Sequence, residues 1–128
     1  MSHQHDIAAS EPTPWMITRM GAVVVAEVMM PRLFDPVMVD RLDHDLHAAV
    51  GSADDLVLDL TRVRYISSAM LGRMVMLWMA AQKRGRRVVL SGVTGTLAEI
   101  LRIAGLHQRV QMHRDVATAL AALETHPS

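Results

Sequence analysis

One stretch of this chain, residues 55–90, limits the possible folds more than any other because its hydrophobic period changes twice. It opens with the apolar run Leu56-Val57-Leu58, which is short and bounded by polar residues, as an interior strand is. From Ser68 the period lengthens, and apolar residues continue for more than three turns. The cations and glycine of Lys83-Arg84-Gly85 mark the end of a helix. Arg87-Val88-Val89-Leu90 then predicts a second strand.

A strand, a helix and a strand of these lengths predict two parallel strands joined by a right-handed crossover. Ser67 and Ser68 fall where the helix begins, at the carboxyl end of the first strand. Ligands and partners of open α/β sheets tend to meet the protein at this edge. We therefore expect the functional surface of the chain to lie near these two serines.

The flanking sequence supplies the other elements of the fold. Two apolar runs, Trp15 to Met20 and Ala22 to Val28, surround Gly21 and predict an antiparallel hairpin. Asp35 followed by Pro36 predicts a helix start, since Asp is a good N-cap and Pro suits the first helical position. The other predicted segments are a connection over residues 29–34, an end of the first helix near Gly51, a helix from about Thr96 to Ala104, a short edge strand over residues 110–112, and a last helix capped by Asp115 that runs through Leu123.

Length and composition indicate one globular domain. A chain of 128 residues can bury its own core, and 51% hydrophobic with 20% charged residues is typical of a compact protein. Residues 1–14, polar with two prolines, predict a flexible arm. For residues 15–128 we predict an α/β domain. Its mixed sheet has about four or five strands, an N-terminal hairpin followed by parallel strands, with about four helices around it.

Composition and charge exclude several functional classes. The absence of cysteine excludes disulfides and thiolate chemistry and fits a cytoplasmic protein. No apolar run approaches the roughly 20 residues of a membrane helix, and no secretory signal opens the chain. Residues 1–60 carry net charge −7 and residues 61–128 net charge +7, which predicts a surface bearing both signs.

No catalytic or metal-binding set can be assembled from the motifs. The chain has no GxxxxGK nucleotide motif, and SGVTGT over residues 91–96 is more typical of a turn than of a phosphate site. His44 and His47 share a helical turn, but two ligands on one helix do not make a metal site. Ser67 and Ser68 have neither a GxSxG context nor an adjacent base. We therefore expect no enzyme activity, no cofactor and no metal.

The central helix and its basic end are candidate interaction surfaces. The basic run over residues 83–87 lacks interleaved aromatics and lies at a helix end, where cations have a structural reason to be, so we expect no nucleic-acid binding. Eleven methionines with only four aromatic residues suggest adaptable contacts. We place Leu71, Val75 and Trp78 toward the sheet, with Met74 and Gln82 as further candidates. Any exposed side chain among Met70, Met76 and Met79 would then form an apolar patch suited to a partner.

Two segments carry a family resemblance. LVLDLTRVRYISSAMLGRMV (residues 56–75) and RRVVLSGVTGTLAEILRIAGLHQRV (residues 86–110) resemble the STAS domain, the sulphate-transporter and anti-sigma-factor-antagonist family. The resemblance covers roughly residues 20–124, and the order of elements agrees. Since no membrane segment is predicted, the chain is most similar to the stand-alone antagonists of that family.

The resemblance implies a phosphorylation site and a partner. In that family the turn reads Asp-Ser-Ser/Thr-Gly-Leu, and a partner kinase that doubles as an anti-sigma factor phosphorylates the first serine. This position falls on Ser68, with Ser67 as the less favoured acceptor. Ser67 replaces the family aspartate and Met70 the family glycine. The implied partner-binding residues are Ser67, Ser68, Ala69, Met70 and Arg64.

Physical chemistry gives these serines a second role. A serine at a helix start acts as an N-cap, its oxygen accepting an exposed backbone N–H. A phosphate on Ser68 would carry about −1.5 to −2 charges beside a positive helix end and near Arg62 and Arg64. It would leave the fold intact and change the surface offered to a partner.

The leading hypothesis is therefore a non-enzymatic, cytoplasmic bacterial regulator that binds a serine-kinase anti-sigma factor and is switched by phosphorylation of Ser68. One alternative is a phosphorylation-independent subunit of a larger signalling or transporter-associated assembly. Another is a small-ligand binder that takes a nucleotide or a lipid. The sequence also leaves the oligomeric state open, including a homodimer.

Overall fold

The computed structural model describes residues 13–52 and 55–125. The predicted N-terminal arm therefore lies outside the described residues, except for Thr13 and Pro14. The strands are β1 (Trp15–Met20), β2 (Val23–Val28), β3 (Arg32–Leu33), β4 (Asp55–Asp59), β5 (Tyr65–Ile66), β6 (Arg87–Ser91) and β7 (Met112–His113). The helices are α1 (Pro36–Ser52), α2 (Ser68–Lys83), α3 (Gly95–Ile103) and α4 (Val116–Thr125), and a 3-10 turn spans Leu106–Gln108.

The main sheet has the order β1-β2-β4-β6-β7. The β1–β2 pair is antiparallel, and the three other pairs are parallel. Strands β4 and β6 are adjacent, with Leu56 opposite Val88 and Leu58 opposite Leu90. The predicted α/β fold, with an N-terminal hairpin followed by parallel strands and with α2 connecting two of them, is confirmed.

Alternation along the strands divides the core between the two faces of the sheet. Successive side chains of a strand point to opposite faces. Leu56 and Leu58 of β4 therefore join the larger cluster, which also takes side chains from α1, α2 and α3. Val57 points the other way, where it packs with Val25, Val89, Ala119 and Leu123. On β4, Val57 thus faces the alanine-rich α4, whereas Leu56 and Leu58 face the three other helices.

A second, two-stranded sheet was not predicted. Strands β3 and β5 pair in parallel, with Arg32 opposite Tyr65 and Leu33 opposite Ile66. The prediction of a plain connection over residues 29–34 is therefore wrong. Proline lacks a backbone donor, but the carbonyl of Pro31 accepts hydrogen bonds from the N–H groups of Arg64 (2.8 Å) and Tyr65 (3.2 Å).

The C-terminal elements follow the prediction with one shift. Asp115 caps α4 through a 2.8 Å hydrogen bond from the Thr118 N–H. That bond, followed by one with the Thr118 side chain, holds the pKa of Asp115 below its ordinary value. The last strand lies at Met112–His113 rather than over residues 110–112. The preceding 3-10 turn directs Val110 into the core, so the strand begins later.

The buried face of α2 lies one residue from the predicted one. Met70, Met74, Leu77 and Ala81 are buried, whereas Leu71, Val75 and Trp78 pack beside them and remain partly exposed. Both stripes are apolar and neighbouring residues are about 100° apart around a helix, so periodicity could not separate them. The expectation that Met70 faces a partner is wrong, because its side chain is only 1% exposed.

Candidate functional site

The carboxyl end of β4 is fixed by a buried hydrogen-bond network around Asp59. One carboxylate oxygen of Asp59 accepts from the Thr61 N–H (3.1 Å), the Thr61 hydroxyl (2.5 Å) and the Ser91 hydroxyl (3.3 Å). The Leu60 N–H also donates to the Ser91 carbonyl at 2.8 Å. Asp59 and Ser91 are the buried polar residues of the described chain. The network therefore holds the loop that leads to α2 against the end of β6.

Gly92 lets the β6 end approach this loop closely. Its φ is +75°, and a Cβ at this position would lie 2.1 Å from Thr61 Oγ1 and 2.8 Å from Thr61 Cα. Any other residue would have to adopt a left-handed conformation and displace backbone as well. Gly92, the first glycine of the SGVTGT segment, is therefore required for close packing against Thr61.

The start of α2 is fixed by Ser67. Its N–H donates to the Leu33 carbonyl at 2.9 Å, which ties the helix start to β3. Its backbone is extended (φ −78°, ψ 165°), and its hydroxyl accepts the Met70 N–H at 3.1 Å. The N-cap predicted for one of the two serines is thus confirmed for Ser67.

Ser68 has a different environment. It is the first residue of α2, its side chain is exposed, and its hydroxyl makes no hydrogen bond within the described part of the chain. Ala69 beside it is also exposed, and the first turn of α2 has no acidic residue. The positive end of the helix thus presents an accessible hydroxyl with no competing negative charge.

An exposed aromatic and cationic cluster extends from this helix start along the small sheet. The Arg32 guanidinium lies 5.5 Å from the centre of the Phe34 ring and 5.9 Å from that of Tyr65. Phe34 is 54% exposed and Tyr65 41%. Two of the four aromatic residues of the chain therefore lie at the surface here, although aromatic side chains normally contribute to the core.

The structure brings together most of the sequence-predicted site residues. Ser67, Ser68 and Ala69 form the start of α2, and the exposed Arg64 lies in the loop just before β5. Met70 is the exception, because it lies in the core. Arg32, Phe34 and Tyr65 were missed by sequence reasoning. The scarcity of aromatics in this chain was the available signal, but it gave no indication of which ones were exposed.

A family model described as "Mlab, STAS domain" matches residues 34–121. The chain belongs to the STAS domain family. No curated protein matches the sequence.

Solved structures of STAS proteins share the fold. An anti-sigma-factor antagonist (STAS) domain protein from Planctomyces limnophilus is 19% identical, with a TM-score of 0.78, covering 88% of this chain and 99% of its own. A sulfate transporter family protein from Wolinella succinogenes is 22% identical, with a TM-score of 0.71 and coverage of 91% and 92%. The anti-sigma factor antagonist SpoIIAA of Bacillus, in its phosphorylated form, is 14% identical, with a TM-score of 0.69 and coverage of 85% and 98%.

Other candidate chemistries find no support in the described residues of this STAS domain. No histidine or carboxylate hydrogen-bonds to Ser67 or Ser68 in that part of the chain. His47 Nε2 lies 3.3 Å from Asp43 Oδ1. Across residues 13–52 and 55–125, no group of three His, Asp or Glu side chains is placed to hold a metal ion. None of the described helices is long and apolar enough to cross a bilayer.

Asp43 instead belongs to an ion-pair network between α1 and α2. Arg73 donates to Asp43 at 2.7 Å and to Asp40 at 2.5 Å. The hydrogen bond with Asp43, followed by the charge of Asp40, raises the pKa of Arg73 above its ordinary value. The polar face of α1 thus positions α2, which is a structural role.

The two adjacent serines should differ in their effect on stability. Ser67→Ala removes the N-cap acceptor and should lower the free energy of unfolding by about 1 kcal/mol. Ser68→Ala removes an exposed hydroxyl without a partner and should change it by less than about 0.5 kcal/mol. Urea denaturation of both variants measures the difference. Equal losses would show that Ser67 is not the cap.

Two glycines provide a matched pair for the packing of the site. Gly92→Ala should destabilise the STAS domain by about 2 kcal/mol or more, because the new Cβ meets the Thr61 backbone. Gly72→Ala, on the exposed side of α2 with no atom within 4 Å of its Cβ position, should instead stabilise it by about 0.5–1 kcal/mol. Thermal unfolding monitored by circular dichroism tests both. A tolerated Gly92→Ala would contradict the close approach.

Proposed function

We propose that this STAS domain is a non-enzymatic regulator that binds an anti-sigma factor with serine kinase activity through the surface around Ser68. Phosphorylation of Ser68 by that partner ends the complex. The observation that carries the proposal is the exposed hydroxyl of Ser68, which takes no part in holding the fold. Since Ser67 alone caps α2, Ser68 can be modified without cost to the helix.

The cluster beside Ser68 supports protein binding. Aromatic side chains and arginine are enriched in protein interfaces and among the residues that dominate binding energy. Arg32 and Tyr65 lie opposite each other on a small sheet held by backbone hydrogen bonds, and Phe34 follows β3 directly, so the cluster is largely preformed. A preformed surface loses little conformational entropy when a partner binds.

Electrostatics support a switch at this position. A phosphoserine adds about −1.5 to −2 charges, and the amino end of a helix favours negative charge. The exposed Arg62 and Arg64 lie in the loop that leads to Ser68, where their positive charge would favour a phosphate. The modified domain should therefore stay folded. A partner suited to a neutral hydroxyl would then meet a dianion, which changes affinity without a change of fold.

The comparisons with solved structures also support a phosphorylation switch. SpoIIAA, named as an anti-sigma factor antagonist, has a solved phosphorylated form. A kinase partner consumes ATP, so the complex would form in the bacterial cytoplasm.

A second candidate function is a subunit that joins a larger signalling or transporter-associated assembly without phosphorylation. Two departures from the family motif favour it. Met70, in place of the family glycine, lies in the core, and Ser67, in place of the family aspartate, is a neutral cap. The similarity of the fold to a sulfate transporter family protein is consistent with such an assembly.

The switch predicts opposite behaviour for two Ser68 variants. Ser68→Ala should keep the partner, whereas Ser68→Asp and the phosphorylated protein should bind it about tenfold more weakly or worse, since a charge without a counterpart in the interface is costly. Titration calorimetry with the purified kinase partner gives the affinities. Incubation with that kinase and ATP, followed by mass spectrometry, should place the phosphate on Ser68.

Ala117→Asp is the matched control. It adds the same charge as Ser68→Asp near the start of α4, which packs on the opposite face of the sheet from α2. It should leave the affinity for the partner unchanged. Equal affinity for the wild type, Ser68→Ala and Ser68→Asp, with no phosphate on Ser68 in cells, would reject the switch and favour the constitutive subunit.

A further inference from the structure

We infer that a second docking surface lies at the far end of α2 from Ser68 and binds an acidic segment of a partner protein. This surface, here called the α2 groove, is a depression of about 570 Å³ lined by Trp78, Met79, Gln82, Lys83 and Arg109. It continues into a smaller depression that shares Trp78, Gln82 and Arg109 and reaches β6 at Val88 and Val89. The inference goes beyond the proposed function, since it concerns a different part of the domain.

The α2 groove offers an apolar contact on a rigid support. Trp78 packs against the larger hydrophobic cluster and remains partly exposed where it lines the groove. Met79 beside it is 44% exposed. An aromatic ring with an adaptable thioether beside it is suited to an apolar side chain of a partner.

The charge of the groove selects the partner. Neither depression has an acidic residue in its lining. Two nearby arginines have carboxylate partners: Arg73 of α2 pairs with Asp40 and Asp43, and Arg87 of β6, which lines the smaller depression, pairs with Asp55. Lys83 and Arg109 make no ion pair within the described residues. These two cations are therefore available to carboxylates of another protein.

Helix-end electrostatics do not account for both cations. Lys83 lies in the last turn of α2, where a cation stabilises the helix end. Arg109 belongs to a separate element, immediately after the 3-10 turn, and has no such role for α2. Both cations line the same groove, together with Trp78 and Met79. An acidic ligand explains this arrangement better than helix-end electrostatics does.

A peptide fits the groove better than a nucleic acid does. Single strands bind through successive bases stacked on several aromatic rings, and duplexes through many phosphate contacts. The α2 groove has one ring and two unpaired cations in its lining. One apolar side chain flanked by carboxylates would match both features.

The two surfaces of α2 are far enough apart to act separately. Lys83 lies fifteen positions after Ser68, which is about 22 Å along the helix axis. Binding at the α2 groove should therefore not depend on the state of Ser68, and the failure of one proposal leaves the other standing.

The test uses an array of ten-residue fluorescent peptides with zero to five Glu residues around one Leu or Phe, read by fluorescence anisotropy. Affinity should rise with the number of Glu residues, fall with added salt, and disappear when Gln replaces Glu. The double variant Lys83→Gln/Arg109→Gln should bind about five- to tenfold more weakly, as expected for two exposed ion pairs. Ser68→Asp should bind as the wild type does.

Arg102→Gln/Arg114→Gln is the matched control. It removes the same charge at two exposed positions outside the groove and should change affinity less than about twofold. Trp78 emission should shift on binding and lose that shift in Trp78→Phe. A flat response to Glu number, equal weakening by the two double variants, or stronger binding of a 20-residue thymidine oligonucleotide would each overturn the inference.

Discussion

The carboxylate of Asp59 is the interaction on which the presentation of the site depends. It is nearly buried, so its charge must be satisfied locally, and the donors that satisfy it come from the turn after β4 and from the end of β6. The same contact brings Thr61 against Gly92, which leaves no room for a side chain. The loop that follows is thereby fixed at its beginning, and its far end is fixed by the bond from Ser67 to β3.

The division of roles between two neighbouring serines follows from helix geometry. The residue before the helix can direct its side chain back to an exposed N–H, whereas the first helical residue directs its side chain outward. Ser67 therefore serves the fold, and Ser68 has no partner within the described chain. Phosphate on Ser67 would remove a cap, but phosphate on Ser68 would add charge where the helix end favours it. This asymmetry favours Ser68 as the position that can be modified while the domain stays folded.

Sequence patterns predicted what depends on local signals. The hairpin, the β4–α2–β6 crossover and the caps at Asp35 and Asp115 are all confirmed, because each rests on periodicity or on a residue type with one dominant role. The β3–β5 pair was missed because two-residue strands have no period, and their partners lie over thirty residues apart. The buried face of α2 was misplaced because two adjacent stripes are equally apolar, so only packing against the sheet selects Met70 over Leu71.

The length of α2 has a consequence for regulation. About 22 Å along the axis separates Ser68 from Lys83, more than twice the Debye length of about 8 Å at physiological ionic strength. A phosphate at one end is therefore screened from the cations at the other, and electrostatics alone would not couple the two surfaces. Mechanical coupling would require α2 to move, but its start is bonded to β3 and its middle is paired with α1 through Arg73. A rigid helix with two separate surfaces could hold one partner at the α2 groove while the other is exchanged at Ser68.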